Sequence, residues 1–206
     1  MNFIFDVDGT LIDSYPGIIK TVIKVLNNHN LNIKKEIIET NIYKYSVRYY
    51  LNQLSTKLGY KENILIKEFE KLRIETEYDY EFIDGVINTL KLLKENNNLF
   101  IYTHRNNSIF KILKDNNIDN LFTHVISSES SYFKRKPDSY SLEYLIARFD
   151  LKREDTYYVG DRPIDILSSN NANIKSVLFN NKQDDLLGSN PTLIIKDFKE
   201  LLNIKK

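Results

Sequence analysis

Two kinds of apolar pattern divide the chain. Phe3-Ile4-Phe5 is a short continuous apolar run, the signature of a strand covered on both faces. From Ile18 onward the spacing becomes helical, with Ile18, Ile19, Val22, Ile23 and Leu26 on one side. Val47, Leu51, Leu54 and Leu58, closed by Gly59, predict another helix, and Leu65, Phe69 and Leu72 a third. The stretch from Lys34 to Thr40 reads as a shorter one, so residues 15–80 are expected to be consecutive helices without a strand. At Asp84-Gly85 the character changes. Asp84 is expected to cap a helix bearing Val86, Leu90 and Leu93. Strands follow at Leu99–Tyr102, Thr123–Ile126, Thr156–Val159, Ile174–Phe179 and Thr192–Ile195. Helical patterns separate them around Ile109–Leu113, Leu142–Phe149 and Ile164–Asn171, and a last helix is expected at the end.

Alternating strands and helices argue for a parallel sheet with helices on both faces. The first strand is too short and apolar to stand alone, so it must join that sheet. The expected division is therefore a core of residues 1–14 and 82–206 interrupted by an inserted helical segment, residues 15–81. Hinges are expected at Asp13–Gly17 and Tyr78–Asp84.

Composition adds exclusions. Of 206 residues, 42% are hydrophobic and 28% charged, ordinary for a globular protein with a sizeable core. The net charge of +1 gives no general attraction to nucleic acid or anionic membrane. With no cysteine, disulfides, thiolate metal sites and cysteine nucleophiles are excluded. No apolar run approaches the ~18 residues of a membrane span. A soluble cytoplasmic protein is the expectation.

The chemistry collects at strand ends. Asp6 and Asp8 close the first strand, and alternation of side chains leans both carboxylates to the same side. Two such carboxylates repel unless a cation lies between them, although Asp and Gly also favour a plain turn. Thr103 ends the second strand, Lys134-Arg135-Lys136 lies in the polar loop after the third, and Asp161 and Asp165 follow the fourth. Ligands in open parallel sheets bind at the carboxyl ends of the strands. Carboxylates for a metal, a nucleophile and donors for phosphoryl oxygens are what phosphoryl transfer to an aspartate requires.

The ordered set Asp6-Val7-Asp8-Gly9-Thr10, Thr103, Lys136-Pro137-Asp138 and Gly160-Asp161-Arg162-Pro163-Ile164-Asp165 resembles the haloacid dehalogenase superfamily. It is similar to the phosphoglycolate phosphatase and β-phosphoglucomutase branch, with Gly9-Thr10-Leu11-Ile12-Asp13-Ser14 in the phosphatase-like version. The resemblance covers essentially the whole chain and implies a Rossmann-like three-layer core with a helical cap domain inserted after the first motif. It implies a Mg²⁺-dependent phosphatase acting on a small phosphorylated metabolite. In that pattern Asp6 is the nucleophile, Asp8 the acid and base, and Thr103 a ligand for phosphoryl oxygens. Lys136 neutralises charge. Asp6, the Asp8 carbonyl and Asp161 hold Mg²⁺, and Asp165 supports either the metal shell or Lys136. Thr10, His104, Arg105 and, in the cap, Lys44 and Arg48 are candidates for substrate contacts.

Bland alternatives accompany each residue. Thr103 could cap a helix, Asp165 could serve only the helix dipole, and Lys134–Lys136 could be a solvated loop. Lys44 and Arg48 could be the polar side of a helix face with snorkelling stems. A β-phosphoglucomutase-like phosphomutase would use the same residues, and a catalytically silent binding protein would keep the fold. The sequence leaves the substrate and the oligomeric state open, and it offers no nucleic-acid or membrane partner.

Overall fold

The computed structural model describes residues 1–60, 63–179 and 186–205. The chain forms two compact units, one of residues 1–13 and 82–206 and one of residues 14–81. Among the described residues of the first unit, six strands form a parallel sheet. They are β1 (Asn2–Phe5), β4 (Asn98–Tyr102), β5 (His124–Ile126), β6 (Thr156–Gly160), β7 (Lys175–Phe179) and β8 (Leu193–Ile195). The order is β5-β4-β1-β6-β7-β8, so β1 is central and the chain builds first to one side of it and then to the other. That reversal creates a crevice at the strand ends beside β1.

Register fixes what meets there. Ile4 lies between Phe100 and Tyr158, and Phe5 between Ile101 and Val159. The residues one step further, Asp6, Tyr102 and Gly160, therefore come level at the edge, and Asp6 N–H donates to the Val159 carbonyl at 2.9 Å. All four residues of β1 are buried, as the uninterrupted apolar run requires of a strand covered on both faces. One buried cluster joins Ile4, Phe100, Tyr102, Ile126 and Tyr158 to Leu142, Leu145 and Ile146 of α7 (Tyr140–Phe149). The other crossovers of this unit are α5 (Val86–Lys94), α6 (Ser108–Asp115) and α8 (Pro163–Asn171). The last helix expected after β8 is present as Phe198–Asn203, of the 3₁₀ type rather than α.

The start of α5 differs from expectation. Its cap position is Gly85 rather than Asp84. Gly85 has φ +77°, a left-handed conformation that glycine adopts without steric cost. Two-residue strands β2 (Ile12–Asp13) and β3 (Glu81–Phe82) pair with each other, a feature too short for the apolar pattern to announce.

The second unit contains α1 (Tyr15–Asn28), α2 (Lys35–Lys44), α3 (Val47–Lys57) and α4 (Ile64–Thr76). Ile19, Val22, Leu26, Ile38, Ile42, Leu51 and Leu65 form its buried core. Helix α2 runs four residues past the expected Thr40, so Tyr43 to Arg48 is a helix–helix corner, with Ser46 accepting Tyr49 N–H at 3.1 Å to cap α3. Among the described residues, no helix is long and apolar enough to cross a membrane.

The centre of the sheet supplies a stability prediction. Ile4 is fully buried in the shared cluster. Ile4→Ala is expected to cost about 2–5 kcal/mol, read from urea unfolding midpoints.

Candidate active site

The site is built where β1, β4 and β6 end and where the β5–α7 loop returns over them. Asp6 follows β1 directly and is almost wholly buried. Its Oδ1 accepts an ion-pairing contact from Lys136 Nζ at 2.8 Å, while Asp165 Oδ1 takes the same ammonium at 2.7 Å. The Lys136 side chain has no exposure, and its charge lies 5.2 Å from the ring centroids of both Tyr102 and Tyr158. Those rings are fixed by the sheet, and Tyr158 Oη donates to the Tyr102 carbonyl at 3.0 Å. Burial pushes the Tyr102 phenol up to about 12, so it stays neutral beside the ammonium.

Two buried carboxylates share one ammonium. Burial raises the Asp6 carboxyl above its usual range, and repulsion from Asp165 adds to this, against the opposing pull of Lys136 and Arg162. Burial alone would lower the Lys136 ammonium, yet Asp165 and Asp6 raise it above its ordinary value. The two carboxylates thus face the Lys136 ammonium at contact distance and, on the Asp6 side, the Arg162 guanidinium at 3.8 Å.

Asp165 sits in the first turn of α8, where a helix dipole favours an acid, and also holds Lys136, so the dipole and the ammonium use the same side chain. Its Oδ2 accepts Arg162 N–H at 3.0 Å, which commits both oxygens. The approach depends on Gly160. A Cβ there would lie 2.4 Å from Asp165 Cβ and 2.6 Å from its Oδ2.

One oxygen each from Asp6, Asp161 and Asp165 can be chosen so that all three lie within 4.8 Å of one another. Asp6 Oδ2 is buried without a hydrogen-bond partner among the described residues, and Arg162 Nη2 is 3.8 Å away. Asp161 Oδ1 accepts from Thr10 Oγ1 at 3.3 Å. A buried carboxylate oxygen without a hydrogen-bond partner, beside a second acid, fits a hard divalent cation. Because Asp165 is occupied by Lys136 and the α8 backbone, Asp6 and Asp161 are the carboxylates best suited to hold one.

The remaining candidates fall into separate settings. Asp8 has a 21% exposed side chain and is gripped by Arg105, whose Nη2 lies 2.5 Å from Oδ1 and whose Nε lies 3.3 Å from Oδ2. Thr103 Oγ1 accepts Arg105 N–H at 3.1 Å, a local turn contact, while the cap position of α6 is Asn107. The Thr103 hydroxyl can still donate. His104 turns to the β5–α7 loop, where its Nε2 accepts Lys136 N–H at 2.9 Å. Lys134 and Arg135 are exposed, whereas Lys136 is buried, so the solvated-loop alternative holds for its two neighbours alone. Lys44 and Arg48 belong to the helical unit. Lys44 lies over the Tyr45 ring, and exposed Arg48 pairs with Glu70 at 2.8 Å.

Sequence reasoning did not single out Arg162, Tyr102, Tyr158 or Gly160. Arg162 stood inside a quoted motif without a role. The tyrosines read as strand core, and only the strand register reveals that they flank a charge.

The family model described as haloacid dehalogenase-like hydrolase matches residues 3–179. Phosphoglycolate phosphatase from Haemophilus influenzae is 26% identical, over 97% of this chain and 96% of its own length. A haloacid dehalogenase-like family hydrolase from Streptococcus pneumoniae superposes with a TM-score of 0.83 at 20% identity, covering 98% of this chain and 96% of that one. A hydrolase from Pseudomonas syringae gives a TM-score of 0.77 at 22% identity, covering 98% and 96%.

The geometry yields two expectations. Gly160→Ala is expected to lose about 1–3 kcal/mol by overpacking against Asp165, measured by urea unfolding. Burial, together with Lys136, Arg162 and Arg135, lowers the His104 pKa well below its usual value. The folded ring thus refuses a proton that the unfolded ring accepts below about pH 6.5. Its contribution is complete above that pH and declines as the pH falls toward the depressed folded value. Between about pH 7.5 and about pH 5.5, wild type should lose more stability than His104→Phe, compared by urea midpoints.

Proposed function

We propose that this chain, which belongs to the haloacid dehalogenase-like hydrolase family, is a Mg²⁺-dependent phosphatase of small phosphate monoesters, of the phosphoglycolate type. The observation that carries this reading is the buried Lys136 ammonium bridging Asp6 and Asp165, with the second Asp6 oxygen left without a hydrogen-bond partner among the described residues. Full-length similarity to phosphoglycolate phosphatases supports the choice of substrate class.

A carboxylate is a weak nucleophile toward an anionic phosphate, and the repulsion between them is the first barrier. Lys136 and Arg162 lower it from the protein side, acting in a site where burial strengthens each charge. Mg²⁺, held by Asp6, Asp161 and the Asp8 carbonyl, would add positive charge at the phosphoryl oxygens. An Asp6 oxygen then bonds to phosphorus as the bond to the leaving alkoxide breaks, giving a transient aspartyl phosphate. Thr103 donates to a phosphoryl oxygen.

Asp8 suits the proton transfers because, unlike Asp6, it is partly exposed and so can meet the leaving group. It gives its proton to the departing oxygen. It then takes one from the water that attacks phosphorus, releasing phosphate and restoring Asp6. Arg105 holds both Asp8 oxygens and so favours the carboxylate, the form that takes a proton from water; the acid step requires that this pair loosen when substrate enters.

Mg²⁺-dependent hydrolysis of p-nitrophenyl phosphate and of phosphoglycolate tests the proposal. Asp6→Asn is expected to reduce turnover to background while thermal unfolding stays close to wild type, and chelation of the metal should do the same reversibly. Wild-type turnover by Asp6→Asn would remove the nucleophile and with it the proposed chemistry.

A further inference from the structure

His104 directs its polar contact at the main chain of another loop. Its Nε2 accepts Lys136 N–H at 2.9 Å, and its ring meets Phe133 edge-on with centroids 5.5 Å apart. Lys136 is the residue whose side chain must reach two carboxylates at once, at 2.8 and 2.7 Å. A lysine carries its charge on a flexible four-carbon stem, so a small rotation of its backbone displaces the ammonium widely. The loop is pinned nearby as well. Lys134 N–H donates to Ser141 Oγ at 2.8 Å, and Tyr102 Oη donates to the Lys134 carbonyl. At Lys136 itself the main-chain donor is held by His104.

We propose that His104 is a positioning residue for Lys136, accepting its N–H so that the loop presents the ammonium to Asp6 and Asp165 together. The proposal rests on the aspartate-nucleophile reading above and assigns His104 to the enzyme's own loop instead of to the substrate. An imidazole can accept at Nε2 only when that nitrogen is bare, which places the ring proton on Nδ1. Nδ1 faces Arg135 Nη1 at 3.4 Å, a donor opposite a donor, so this contact is not a hydrogen bond in the neutral ring. The charges facing the ring are cations: Arg135 and Lys136 from the β5–α7 loop and Arg162 from the turn before α8. With burial they oppose protonation and keep the accepting form in place at neutral pH. Loss of the acceptor leaves Lys136 N–H without a partner in a buried setting, and the loop must turn to satisfy it.

The test compares full-length wild type, His104→Phe and His104→Gln in Mg²⁺ with p-nitrophenyl phosphate, alongside thermal unfolding and amide exchange at Lys136 by NMR. Phe keeps the ring volume and removes the acceptor. Gln carries an oxygen about as far from the main chain as Nε2. His104→Phe is expected to lower kcat about 10- to 100-fold, the usual effect of removing a partner that orients a reacting group. KM should move far less, Gln should recover most of kcat, and the Lys136 amide should exchange faster in the Phe variant alone. If His104→Phe does not fold, His104→Leu serves the same comparison. A Phe variant with wild-type kcat, or one in which Gln is no better than Phe, overturns the proposal. A wild-type protein inactive on phosphate monoesters overturns the functional reading instead. In that case the positioning contact stands if the Lys136 amide is protected in wild type and exposed in His104→Phe, and falls otherwise.

Discussion

A single buried ammonium organises the strand ends. Lys136 Nζ has no solvent exposure and is shared by Asp6 after β1 and Asp165 at the start of α8. Removing one partner of such a buried pair leaves an uncompensated charge, typically at a cost of about 3–5 kcal/mol. Replacing a whole pair with apolar side chains is often neutral, so packing alone would not require a lysine at this position. On the proposed reading the ammonium brings positive charge to a carboxylate that would approach an anion.

The cluster also separates four acids by their surroundings. Asp6 is buried and short of partners, Asp165 has both oxygens engaged, Asp161 accepts from Thr10, and Asp8 is partly exposed in the grip of Arg105. Identical carboxylates thereby acquire different surroundings, in depth and in neighbours. Gly160 makes this separation possible, since any larger residue would drive Asp165 away from the ammonium.

Much of this was legible in the chain. The switch from helical to alternating patterns placed the parallel sheet, and the motif residues fell at strand ends because apolar runs stop where the crevice begins. What escaped were features that depend on cross-strand register or on two residues. Tyr102 and Tyr158 read as core, and only the pairing of β4 and β6 with the central β1 reveals the rings around Lys136. The Gly85 start of α5 was misread because a nearby aspartate carries the stronger local signal, while the backbone needed a positive φ. His104 gave no hint of its direction, since a histidine at a strand end can serve a substrate or a loop with equal chemical ease.

The parallel register of the central strands has a consequence for how the chain can vary. Ile4 stands between Phe100 and Tyr158, and Asp6 and Asp161 follow directly on β1 and β6. A one-residue insertion or deletion inside β1, β4 or β6 would turn every side chain to the opposite face. According to the strand, such a slip would exchange Asp6, Tyr102, or Tyr158 with Gly160 for a neighbour. Length changes are tolerable only beyond the crevice, in connections such as the one that carries the whole helical unit between Asp13 and Phe82. The sheet therefore acts as a ruler, and new chain can enter only where no measurement is being made.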